Sequence, residues 1–328
     1  MLARLRLIFD NFTLILITVV ITATLLPAKG DAAIFFEWLT RFAIALLFFM
    51  HGAKLSREAI IAGMMHWRLH LLVFSFTFIA FPIIGWLSKP ILTPLLGVPL
   101  TIGVLYLCAL PGTVQSAIAF TSIAKGNIPA AVCSASASSL IGIVATPVVL
   151  NLMLDTNAGT TGMGKAIIDI SLQLLLPFLV GHLSRPLTAH FMVKNARWLK
   201  NVDQSSILLV VYTAFSASVV SGLWQTVPLP ALAALFIVCM VLLVFVLWLT
   251  TFLARRFGFN REDEITIVFC ASKKSLATGV PMAQVLFSSA MLGPVLLPIM
   301  IFHQIQLMAC SMLASQYAKQ SSADSEHV

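Results

Sequence analysis

Two adjacent lysines, Lys273 and Lys274, interrupt an otherwise apolar stretch that runs from Ile265 to Ser288. A lysine at the centre of a bilayer costs about 2.5–3.5 kcal/mol on insertion scales, and a neighbouring one adds mutual repulsion. Two readings would offset this. Either the stretch ends earlier and both side chains snorkel to the interface, or they line a hydrated cavity, where they attract an anionic substrate or stand where a coupling cation would bind. Arg261, Glu262, Asp263 and Glu264 mark the nearest surface, and Lys273 lies nine residues beyond Glu264. With a helical rise of about 1.5 Å per residue that is roughly 13 Å, near the middle of a ~30 Å core. The depth favours the cavity, with Ser272 and Ser275 beside the lysines. A lysine in such a place is also a candidate to exchange protons with the solvent.

A second interruption, Pro111-Gly112-Thr113-Val114-Gln115, breaks the apolar stretch from Val98 to Lys125 at a similar depth. Proline removes a backbone donor, and the break leaves carbonyls and a new helix N-terminus to face a solute, unless it is only a packed kink. Thr113, Gln115 and Ser116 are neutral oxygen donors of the kind that hold Na⁺ or a substrate. Ser134, Ser138 and Gly142 recur every four residues, a stripe that suits close helix packing, with ligation as the alternative. His303, Gln306 and Cys310 share one helical face, where His303 serves either as an interhelical hydrogen-bonding residue or as a proton relay. Asp169 and Gln173 form an i, i+4 pair near the outer end of a stretch, where interfacial solvation explains them. The candidate substrate residues are thus Lys273, Lys274, Ser275, Thr113, Gln115, His303 and Gln306. The candidate ion-binding residues are Ser116, Ser134, Ser138 and Ser272, and the helix breaks are Pro111 and Gly112.

Other chemistries lack their residues. No Gly-x-x-x-x-Gly-Lys-Ser/Thr loop is present for ATP, and no His-Glu-x-x-His or Cys-x-x-Cys pair for a metal. No acidic residue falls near a midplane to support intramembrane hydrolysis, so the chain does not read as an enzyme, and neither a catalytic residue nor a cofactor is expected. The five cysteines lie within apolar runs and read as packing residues rather than disulfides.

The elements that must position these residues are membrane-spanning helices. Of 328 residues, 59% are hydrophobic and 10% charged, too few polar groups to cover an ordinary core with a wettable surface. Ten apolar runs can be counted, at about 11–27, 34–52, 69–88, 98–124, 129–154, 165–186, 204–226, 229–254, 264–288 and 291–316. The first follows Arg4 and Arg6 but is as long as a span and lacks a clear cleavage site, so it reads as a retained helix rather than a signal peptide. An N-terminus in the cytoplasm puts fourteen Lys and Arg residues on that side and four on the other, with the two lysines of the second break completing the twenty. Both termini are therefore expected in the cytoplasm. The net charge of +8 is spread over short loops beside the spans, which suits anionic lipid of the inner leaflet and not nucleic acid.

Five spans per half force the halves into opposite orientations, an inverted repeat. Cys108-Ala109 before the first break and Cys270-Ala271 before the second are 162 residues apart, at equivalent places in the fourth and ninth spans. The expected architecture is all-α: ten transmembrane helices as two inverted five-helix repeats, with broken helices 4 and 9 crossing. The repeats cover 1–155 and 156–317, joined through the loop from Asp155 to Gly164, and 318–328 forms a disordered cytoplasmic tail.

Pro111-Gly112-Thr113, Ala124-Lys125-Gly126-Asn127 and the run Lys273-Lys274-Ser275-Leu276-Ala277-Thr278-Gly279-Val280-Pro281-Met282 resemble the bile acid:sodium symporter family. The lysine-bearing run is similar to the branch holding bacterial YfeH-type proteins and the seventh member of human solute carrier family 10. The resemblance spans residues 10–316. It implies panel and core bundles, unwound spans four and nine that cross, and entry of an organic anion coupled to Na⁺. It also implies polar sodium ligands after the first break and an acid in the second broken helix. This chain has Val268-Phe269-Cys270-Ala271 at the latter place, and Ala131 and Ala135 where span five would offer oxygen donors. A fixed ammonium at Lys273 or Lys274 could then do electrostatically what a bound Na⁺ does elsewhere, so that transport would be uniport, proton-linked or use only one sodium, with Na⁺ or H⁺ the candidate coupling ion. The expected function is a secondary active transporter for a small organic anion in a plasma membrane, the bacterial inner membrane. The alternative is a non-transporting membrane regulator of ion uptake acting through a partner protein.

Overall fold

The structure is a computed structural model that describes residues 11–54, 66–154, 168 and 171–326. Arg4, Arg6, Arg57, Lys165, Asp169 and the joint from Asp155 to Gly164 lie outside the described residues. Among those described there is helix and no strand. The helices are α1 (Asn11–Leu25), α2 (Asp31–Lys54), α3 (Trp67–Leu96), α4 (Val98–Ala109), α5 (Gln115–Ile123) and α6 (Ile128–Leu154). There follow α7 (Leu176–Leu183), α8 (Arg185–Lys194), α9 (Ala196–Val220), α10 (Leu223–Thr226), α11 (Leu229–Arg256), α12 (Arg261–Ala271), α13 (Leu276–Leu286) and α14 (Ser289–Glu326). Six are long and apolar enough to cross a membrane by length and composition: α2, α3, α6, α9, α11 and α14 through Gln320. Shorter apolar helices cover Leu14–Leu25, Val98–Ala109 and Leu172–Leu183.

The chain forms two compact units, and each draws on both halves of the sequence. One comprises 1–56, 156–229 and 279–297. In it Lys54 at the end of α2 pairs with the buried Asp203 of α9 at 2.6 Å, and the hydroxyls of Thr40 and Thr213 share a hydrogen bond higher on the same two helices.

The other unit comprises 57–155, 230–278 and 298–328 and contains both helix breaks. Its packing relies on small side chains: Ala117, Ala130, Ala131, Ala254 and Ala271 lie buried with Ile267, Cys270, Leu69, Val73 and Phe76. Without bulky residues at these positions the helix backbones approach closely, the packing mode that works where lipid offers no hydrophobic drive.

Local sequence sets the entries and exits of the key helices. Asn260 caps α12 by accepting from the Asp263 N–H at 2.8 Å, and Glu262, Asp263 and Glu264 place negative charge on the positive end of that helix. Glu264 is held bidentately by Arg255 at 2.9 and 3.0 Å and accepts from the Tyr317 hydroxyl, tying α11, α12 and α14 together. α14 continues to Glu326, so 319–326 are helical where polar composition predicts a disordered tail. Each residue added to a formed helix gains a backbone bond without a new nucleus, and Arg261 reaches across to Gln320 at 3.1 Å.

Candidate functional site at the crossing of two broken helices

Helix is absent at residues 110–114, between α4 and α5, and at 272–275, between α12 and α13. The two breaks touch: the Ser275 N–H donates to Pro111 O at 3.0 Å. Gly112 lies so near the other break that a Cβ there would stand 3.1 Å from Cys270 O and 3.7 Å from Lys273 O. Gly142 of α6 gives the same room on the opposite side, since a Cβ on it would fall 2.6 Å from Cβ of Pro111.

Breaking α4 strands its last carbonyls, and each has a partner that fits the local sequence. Gly112 N–H, the helical donor for Cys108 O, instead donates to Ser138 Oγ at 3.0 Å. Ala109 O accepts from the Thr146 hydroxyl at 2.9 Å. Pro111 O takes Ser275 N–H. Cys108 O and Leu110 O both accept from the Lys274 ammonium, at 2.9 and 2.7 Å.

The third partner of that ammonium is Thr77 O, at 3.0 Å. Its availability follows from a π turn in α3 at Phe76–Ala80. There the Phe81 N–H, which an α-helix would give to Thr77 O, goes to Phe76 O, and the next residue, Pro82, has no N–H to offer. Lys274 thus spends its three donors on three main-chain carbonyls, with the face of Phe81 4.1 Å from its nitrogen. It is 1% exposed.

Lys273 is held differently. Its ammonium donates to Ser116 O at 2.9 Å and lies 3.8 Å from the ring centre of Phe120 and 5.5 Å from that of Phe269. It is 0% exposed, so neither lysine snorkels to the surface.

Gln306 of α14 secures the backbone between them. Its Oε1 accepts from Lys274 N–H and its Nε2 donates to Lys274 O, both at 2.9 Å. With that orientation fixed, the second Nε2 proton goes to His303 Nδ1 at 2.9 Å, which makes this ring nitrogen an acceptor. Ser275 Oγ accepts from Thr278 N–H at 3.2 Å and caps α13. Ser116 Oγ donates to Thr113 Oγ1 at 2.8 Å at the start of α5.

The structure therefore gathers Lys273, Lys274, Ser275, Thr113, Ser116, Ser138, His303 and Gln306 at the crossing, together with Pro111 and Gly112. Ser272 turns its hydroxyl back to Val268 O at 2.6 Å, and Ser134 bonds to His70 Nδ1 at 2.6 Å. Gln115 is exposed at the first residue of α5. Thr77, Phe81, Thr146, Phe120 and Phe269 take part without having been singled out from the sequence. Pro82 inside the third apolar run was the available signal for the first two. Asn127, quoted from the sequence only for the resemblance, has a structural part: its N–H goes to Thr266 Oγ1 at 2.9 Å and its Nδ2 to Asp263 Oδ1 at 2.9 Å, fastening the segment after α5 to the first turns of α12.

Known proteins share this chain's sequence along nearly its whole length. An uncharacterized protein of Pseudomonas aeruginosa is 58% identical over 317 residues, covering 97% of this chain and 95% of the relative. The Escherichia coli protein named "Putative symporter YfeH" is 56% identical over 318 residues, covering 96% and 94%. Sodium/bile acid cotransporter 7-B of Xenopus laevis is 27% identical over 317 residues, covering 94% and 91%. Residues 10–319 match the SBF-like CPA transporter family, and to that family of multi-pass membrane proteins the chain belongs.

Proposed function

We propose that the chain is a secondary active transporter for a small organic anion, working by alternating access around the crossing of α4–α5 with α12–α13. The family is one of transporters, not of enzymes. The observation that carries the reading is the hydrogen bond from Ser275 N–H to Pro111 O, which brings two helix interruptions to one place in an apolar protein. Irregular backbone at membrane depth persists where it is buried in protein or lines a cavity, and paired interruptions are the usual place of a transporter's binding site.

The anionic preference rests on what surrounds that place. α5 and α13 both begin at the breaks, so the partial positive charge of two helix N-termini falls there. Thr113, Gln115, Ser116 and Ser275 sit at those ends, and Thr278 Oγ1 is buried without a hydrogen-bond partner. The name of the Xenopus laevis relative, a sodium/bile acid cotransporter, is in keeping with an organic anion.

In this reading the short apolar helices Leu14–Leu25 and Leu172–Leu183 and the two broken pairs join the six long helices to make ten spans, arranged as inverted repeats over 1–155 and 156–317. The protein lies in a bacterial inner membrane with both termini cytoplasmic and its basic loops against anionic lipid. Na⁺ or H⁺ is the coupling ion.

The test is thermal stability of the detergent-purified protein against a panel of organic anions, in NaCl and in choline chloride, because a ligand of the native state raises stability by mass action. A shift that requires Na⁺ supports sodium symport. A Na⁺-independent shift that disappears in Lys273→Ala supports an anion held beside that ammonium. No shift with any anion overturns the reading in favour of a regulator that acts through a partner.

A further inference from the structure

We infer that the Lys274 ammonium is a tethered occupant of a monovalent-cation site, fixed at the crossing by its own side chain. The oxygens of Thr77, Cys108 and Leu110 converge on its nitrogen at 3.0, 2.9 and 2.7 Å. None of the three comes from a side chain, and none belongs to a carboxylate. Rings of backbone carbonyls are the ligands that replace the hydration shell of a small monovalent cation, and an aromatic face such as Phe81 favours the same charge.

The protein has gone to some lengths to free these oxygens. Pro111 and Gly112 end α4, Ser138 diverts the Gly112 N–H, and the π turn before Pro82 strips Thr77 O of its helical donor. Without a cation the three carbonyls would face one another, buried and unsatisfied. A free ion would need an entry path and would leave by the same path. The lysine needs neither, because its chain enters from the second break while its charge sits at the negative end of α4, which joins the broken helices permanently.

Lys273 does not share this role. Its nitrogen has a single carbonyl partner and two aromatic faces, a looser setting in which no cage of oxygens would remain for an ion. The division between the lysines is therefore specific: Lys274 is the internal cation, and Lys273 is not.

The experiment is a thermal melt of the purified full chain in NaCl, KCl and choline chloride at equal ionic strength, with no solute added. Because no solute is involved, its failure is separate from failure of the transporter reading. Wild type is expected to melt at the same temperature in KCl and choline chloride, and any gain it shows in NaCl belongs to a coupling-ion site elsewhere and is the baseline for the variants. Lys274→Ala, which empties the cage, is expected to melt lower in choline and to regain several degrees in NaCl or KCl, saturably. Lys273→Ala is expected to show no such recovery. The companion Lys274→Met fills the channel with an apolar chain, and is expected to melt below wild type in every salt. Wild-type stability that rises with K⁺ overturns the inference. So does Lys274→Ala that ignores all three cations, or Lys274→Met that melts as high as wild type.

Discussion

Gln306 and Lys274 hold each other through a closed pair of amide hydrogen bonds, Oε1 accepting from the Lys274 N–H and Nε2 donating to the Lys274 carbonyl, each at 2.9 Å. The pairing replaces both main-chain bonds that residue 274 loses by leaving the helix. The side chain of the same residue runs to the end of α4 and to the π turn of α3. One residue thus links α14, α4 and α3 to the second break, and the break is a fixed shape rather than a frayed end.

Gln306→Ala leaves the N–H and carbonyl of Lys274 buried without partners, each worth about 1–3 kcal/mol. Gln306→Glu in its neutral form keeps a carbonyl acceptor for the Lys274 N–H and an O–H donor for the Lys274 carbonyl, so its penalty is the smaller of the two; ionised, it would lose that donor. Denaturant or thermal unfolding in detergent reads the difference. A fully stable Gln306→Ala would show that the amide pair does not hold the break.

The breaks themselves were legible because they depend on residue type: proline, glycine and lysine stand out in an apolar run. Their partners were not, because Lys274 binds main-chain carbonyls, which every residue supplies and no pattern advertises. Thr77 became a ligand through a proline five residues on, a signal visible only once the helix is known to pass the crossing. Ser134 sits on the same i, i+4 stripe as Ser138, yet His70 takes its hydroxyl while Ser138 meets Gly112. Spacing placed both on one face and could not divide them. The two compact units also cut across the expected halves, because contacts between helices far apart in sequence leave no trace in local composition.

Gly142→Ala tests how tightly the first break is seated. The added methyl would meet the Pro111 ring at 2.6 and 2.7 Å, where no flexible end can move aside. Overpacking of this kind costs about 1–3 kcal/mol. The expected result is a lower Tm, together with weaker binding of whatever anion stabilises wild type. An unchanged Tm would mean that Pro111 and α6 separate readily.

In the other unit, Lys54 and Asp203 are expected to matter only as a pair. Asp203 has a side chain 4% exposed, against 31% for Lys54. Lys54→Met leaves a buried carboxylate without its cation, a change of about 3–5 kcal/mol. Replacing both, Lys54→Met with Asp203→Leu, is expected to recover most of that loss. A double-mutant cycle on Tm or unfolding free energy checks it, and a double variant no better than Lys54→Met would refute the pairing.

Pro82→Ala returns a backbone N–H to α3 directly opposite Thr77 O. The carbonyl then has a main-chain donor in the π register, or the turn relaxes and Phe81 N–H supplies one in the α register. Both outcomes place a new donor beside the Lys274 ammonium, which now holds that oxygen at 3.0 Å. Helix propensity alone makes the substitution favourable, since alanine suits a helix interior by about 3 kcal/mol over proline. The expected result is nevertheless a gain well below that figure, because part of it is lost from the ammonium cage. A cycle with Lys274→Met isolates this part: residues sharing one network couple by about 0.5–3 kcal/mol, so Pro82→Ala should stabilise the Lys274→Met protein more than wild type. Equal gains in the two backgrounds would mean that the proline shapes α3 without serving the lysine.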